Sequence, residues 1–156
     1  MTHEQFITLE TAKLAKQAGF DWECLARYSQ EGELKMQGDL DFNLLCFDWN
    51  GLEPVDYVDF GIVSAYGSIS APTQAMLQRW LREVKKYQVT IFLNPRVIEE
   101  DGYDPRYEFD PNRYGYHIEN LNDRGCTEGE DYDYMGYEVA LEAGLQKCLT
   151  LIIKKQ

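Results

Sequence analysis

Residues 70–95 read SAPTQAMLQRWLREVKKYQVTIFLNP, and the two halves of this stretch carry different periods. In the first half Met76, Leu77, Trp80, Leu81 and Val84 recur at three- and four-residue steps, the spacing that gathers side chains on one side of an α-helix. Arg79, Arg82, Lys85 and Lys86 fall on the other side. Pro72 suits a first turn, where its missing amide hydrogen would have no intrahelical partner. The pattern predicts an amphipathic helix over about residues 71–87. Val89, Thr90, Ile91, Phe92 and Leu93 follow at once, β-prone and apolar on both faces. That is the composition of a central strand, which Asn94 and Pro95 are expected to stop. A helix and a buried strand in direct succession point to helices packed on a sheet.

On the N-terminal side, Thr8 precedes a short stripe of Leu9, Ala12 and Leu14, and Gly19 follows it; a hydroxyl at the start and a glycine at the end predict a small helix. Residues 39–46 and 58–62 alternate polar and apolar around the turn-forming Asn50, Gly51 and Pro54, and both predict half-buried strands. Residues 24–28 and 33–36 are set to pair as a hairpin about Glu31 and Gly32. On the C-terminal side, residues 114–119 alternate again. Tyr137, Leu141, Leu145, Cys148, Leu149 and Ile152 form the expected buried stripe of a last helix over about 136–154, whose closing Lys154 and Lys155 suit the negative end of the helix dipole. No domain-scale repeat is present. The expectation is one α+β domain over residues 1–156, a small antiparallel or mixed sheet of about four to six strands packed by two or three helices.

The chain has 156 residues, 44% of them hydrophobic, enough for a core. It carries 27 acidic and 15 basic side chains, a net charge of −12. Direct contact with nucleic acid is not expected, because phosphate neutralisation requires clustered Lys and Arg. No apolar run reaches the length of a membrane span. The opening residues Met1 to Gln5 lack the basic and apolar regions of a secretory leader, so a cytoplasmic location is expected. Residues 98–135 hold 12 of the acids against three arginines, together with six tyrosines. Asp104-Pro105 and Asp110-Pro111 are turn-forming steps, and the whole segment reads as a loop-rich acidic region.

Cys24, Cys46, Cys126 and Cys148 contain no CxxC pair, and only His3 and His117 could join them as ligands; zinc is not expected. Cys46 and Cys148 sit in apolar periodic segments, where the thiol acts as a small hydrophobe. His117 and Glu119 have the H-x-E spacing of a zinc deaminase, yet no Pro-Cys-x-x-Cys follows. Alternation turns His117 away from Tyr116 and Ile118, toward solvent. A calcium loop starting at Asp123 would need acidic or amide residues where Gly125 and Thr127 stand. No cofactor, metal or catalytic residue is expected.

Two surfaces carry binding expectations. The start of the helix near residue 71 offers free amides with Ser70, Thr73 and Gln74, and Arg79 and Arg82 lie along one exposed stripe; together they suit a small anion such as a nucleotide. Capping of the helix and a solvated basic face explain the same residues. In the acidic segment Tyr103, Tyr107, Tyr132 and Tyr134 interleave with carboxylates, a composition that suits a basic protein partner. Its extreme form is a mimic of nucleic-acid charge. A hydrolase using paired carboxylates is a competing reading, and an assembly role, with the chain as a homo-oligomer, is a third.

Three tracts together resemble a known group: Ile7 to Leu14 with Gly19 and Phe20, then Ile69 to Gln74 leading to Trp80 through Val84, and Tyr137 to Leu145. In this order and spacing they resemble an uncharacterised family of small proteins encoded by phages, prophages and mobile elements of Bacteroides-type bacteria. The resemblance covers about a quarter of the chain and implies a setting rather than a mechanism: an accessory protein that acts by binding. A host-defence antagonist, holding either a nucleotide signal or a defence protein, is the form such a protein would take.

Overall fold

Thr8 accepts the Thr11 amide at 3.3 Å and starts helix α1 (Leu9–Gln17), after which Gly19 turns the chain at φ +88. The hydroxyl and the glycine do what their positions predict. The computed structural model describes residues 4–36, 46, 48–51, 67–99, 106–123 and 126–156. The described chain divides into two compact units, Met1–Trp80 with Leu149–Gln156, and Leu81–Cys148. Among the described residues, six strands make two three-stranded antiparallel sheets, with three α-helices. The fold is α+β. No helix among these residues is long and apolar enough to cross a membrane.

In the first unit β1 (Ala26–Tyr28) and β2 (Leu34–Met36) form the expected hairpin, with Gly32 at φ +83 in its turn. Strand β3 (Ile69–Ala71) pairs on the other side of β1. Pro72 disfavours a helical conformation at the residue before it, so Ala71 is extended and helix α2 (Gln74–Trp80) starts at residue 74 rather than 71. Thr73 is its cap, accepting the Met76 amide at 3.2 Å. The core holds Ile7, Phe20, Trp49, Leu77 and Trp80, with Phe20 edge-on to Trp80 at 5.3 Å. The side chain of Asn50 ties two segments together, donating to the Phe20 carbonyl and accepting the Ser70 amide. Of the strand expected at 39–46 only Cys46 is described, and it is not in a strand; the strand expected at 58–62 lies outside the described residues. Cys46 is exposed rather than buried.

The expected long helix stops early. After Trp80 the chain makes one turn of π-helix (Leu81–Lys85), ended by Lys86 at φ 63. The wider turn breaks the 3.6-residue period, which leaves Val84 46% exposed although Leu77, Trp80 and Leu81 of the same stripe are buried.

The second unit is built on β4 (Tyr87–Glu99), β5 (Arg106–Asn120) and β6 (Cys126–Met135), in that order. The acidic stretch read as loop is therefore mostly strand. Asp110-Pro111 does mark an irregularity: Leu93 faces Tyr114 and Pro95 faces Phe109, so Asp110 to Arg113 of β5 have no partner in β4, though Arg113 still pairs with Met135 of β6. Pro95 does not end β4, because a strand with one unpaired edge can spare an amide. Helix α3 (Tyr137–Lys154) follows Gly136, whose φ is +109. Leu141, Leu145, Cys148, Leu149 and Ile152 of its stripe are buried, while Tyr137 is 44% exposed and meets Tyr114 edge-on.

Candidate functional site

Side chains alternate between the two faces of a strand, and α3 covers one face of the β4–β5–β6 sheet. At Gly144 the helix comes so close that a Cβ would stand 2.9 Å from Val89 and 3.0 Å from Tyr116. Val89, Tyr116 and Ile118 are accordingly buried. The opposite parity carries Thr90 and Phe92 of β4, and Gly115, His117 and Glu119 of β5. His117 faces Glu130 of β6 in the ladder, and Glu119 faces Thr127.

On this open face a polar row is assembled across two strands. Glu119 Oε1 lies 3.3 Å from His117 Nε2, and Glu130 Oε2 lies 3.9 Å from His117 Nδ1. Thr127 Oγ1 is 3.5 Å from the same Nε2. The neighbouring Glu130 carboxylate holds the Tyr132 hydroxyl above its usual pKa. Beside the row, the Phe92 and Tyr132 rings meet at 5.7 Å and 66°. Gly115 makes this contact possible, since a Cβ there would stand 2.6 Å from the Phe92 ring. Tyr132 is 48% exposed.

Thr127, His117 and Glu130 follow the order hydroxyl, imidazole, carboxylate, but Glu119 takes the same imidazole nitrogen at shorter range. With its nitrogen occupied by a carboxylate, the imidazole is not placed to activate the hydroxyl. Among the described residues no group of three or more His, Cys, Asp or Glu side chains is placed to hold a metal ion.

The tyrosines named from sequence are separated. Tyr132 stands on the open face. Tyr134 lies on the helix-covered side, its ring 5.8 Å from Tyr116, and its hydroxyl donates to Asp131 at 2.7 Å. Tyr107 pairs with Val97 through the backbone, and Tyr103 lies outside the described residues.

The residues expected to hold an anion do not converge either. Ser70 is fully buried in β3, next to the Cys24 thiol, and Gln74 is buried too. The Gln74 amide donates to the Gln5 carbonyl at 2.8 Å and the Met76 amide to Thr73. Thr73 borders a cleft of about 150 Å³ whose walls include Phe6, Leu25, Pro72 and Met76, with Glu4 beside them; apolar walls and a carboxylate do not suit phosphate. Arg79 stacks over Trp22 at 5.7 Å, while Arg82 is exposed on the π-turn.

His117 and Glu119 were legible as one face of an alternating strand. Tyr132 was named for its place among acidic residues, but its strand and that of Glu130 were not legible, because turn-forming residues hid β6. Phe92 and Gly115 carried no signal of a contact, since a cross-strand neighbour depends on register.

Comparison of the chain with protein-family models, with curated proteins and with solved structures finds no match.

Proposed function

We propose that this chain is a non-enzymatic binding protein that applies the open face of its β4–β6 sheet to a basic surface of a partner protein. The observation that carries this is the juxtaposition of Glu119 and Glu130 with the exposed ring of Tyr132 on a sheet whose other face is already packed. Carboxylates steer a basic partner and fix its register, while the rings supply contact area. The tracts similar to small phage and mobile-element proteins support a setting in a bacterial host cytoplasm, with the blocking of a defence protein as the purpose. Occupation of a DNA-binding groove is the same chemistry carried further.

The test is cross-linking of the intact chain in its host, with sites mapped by mass spectrometry, alongside the Glu119→Lys/Glu130→Lys double variant. A partner cross-linked to β5 and β6 of the parent and lost in the variant supports the reading. A stoichiometric nucleotide released from the native protein on denaturation, with no such partner, would replace it by the anion-capture alternative.

A further inference from the structure

Resting on that reading, we infer that the anchor recognised by this face is an arginine guanidinium on an exposed segment of the partner, seated against Phe92 and Tyr132 beside Glu130. Phe92 comes from β4 and Tyr132 from β6, on either side of the central strand. The Phe92 ring lies over Gly115, where any Cβ would collide with it, and so reaches Tyr132. The result is an aromatic surface spanning three strands, with Tyr132 half exposed. Glu130 and Tyr132 lie two positions apart on β6 and share the open face, so the ring and the carboxylate stand side by side.

That pairing selects among cations. A guanidinium is planar and weakly hydrated, so it can lie on a ring while its N–H fork meets a carboxylate; an ammonium is a compact, strongly hydrated point charge. Glu119, across His117 from Glu130, extends the acidic row for further basic residues of the same segment. A second copy of this chain would set like charges against each other, and an acidic partner would be repelled.

The experiment compares nona-arginine and nona-lysine peptides, equal in length and charge, binding to the full chain at about 0.15 M salt. Affinities come from calorimetry and the site from amide shift perturbation. Nona-arginine is expected to bind about tenfold more tightly, with shifts centred on Phe92, Gly115, Glu130 and Tyr132. Tyr132→Ala should remove the preference, and Tyr132→Phe, which keeps the ring, should retain most of it. Amide dispersion verifies that each variant is folded. Equal affinities on this same face, with Tyr132→Ala weakening both peptides alike or neither, would overturn the arginine anchor and leave a basic partner in place. Binding elsewhere, no binding, or binding unaffected by Glu119→Gln/Glu130→Gln would overturn both.

Discussion

Asp131 is exposed, yet its carboxyl lies below the usual range, because the Tyr134 hydroxyl donates to it at 2.7 Å and the Tyr132 amide adds a second bond. Tyr134 is raised in turn, by burial first and by the same carboxylate second. Tyr134→Phe should return the Asp131 pKa toward the ordinary carboxylate value, read from a carbon-detected carboxyl titration; no change would refute the assignment. Because the folded-state value is the lower one, the stabilisation from this bond is complete above the unfolded-state pKa and is lost as pH falls through the folded-state pKa. At Cys24 burial acts in the opposite sense and pushes the thiol up to about 11. Near pH 8 it stays protonated and shielded, so alkylation followed by peptide mass spectrometry should label the exposed Cys46 and Cys126 first. Cys24 should be labelled only on unfolding. Arg27 had no sequence signal of its role: it is buried, donates to Ser68 at 2.8 Å and lies over the Trp49 ring. Only distant segments folded together could reveal that environment.

At the scale of elements, Gly144 links α3 to the sheet. Replacing a mid-helix glycine normally improves helix propensity, by up to ~1 kcal/mol for alanine. Here a Cβ meets Val89 and Tyr116 at 2.9 and 3.0 Å, and overpacking costs ~1–3 kcal/mol. Gly144→Val, with more bulk and a β-branch, should therefore lower stability in a urea titration rather than raise it. Thr73→Ala should cost ~1 kcal/mol through the lost cap, in the same assay. These two elements also show where sequence reading succeeds and fails. The stripe of α3 and the caps of α1 are local patterns, visible within a few turns of chain. The acidic stretch became strands β5 and β6 because pairing partners overrode its turn-forming residues, with bulges absorbing the mismatch at Tyr114/Tyr116 and Ile118/Glu119. Part of the candidate site was legible for the same reason: His117 and Glu119 belong to one alternating run and Tyr132 to the acidic, tyrosine-rich stretch, whereas Glu130 and Phe92 join them only through register.

For the whole molecule, the net charge of −12 acts on folding and on binding in opposite senses. Like charges repel within the folded chain, and salt screens that repulsion; the screening length falls from ~30 Å at 0.01 M to ~10 Å at 0.1 M. Raising sodium chloride across that range should therefore raise the melting temperature. The same screening weakens attraction to a basic partner, so the affinity for nona-arginine should fall over the same range. Glu119→Gln/Glu130→Gln should flatten the salt dependence of binding while changing that of melting much less, since it removes two of the 27 acids but both of those in the polar row. A melting temperature that fell with salt would mean that short-range pairs such as Arg113–Asp133, at 2.9 Å, outweigh the general repulsion. An affinity insensitive to salt would mean that the rings of Phe92 and Tyr132, rather than the carboxylates beside them, hold the partner.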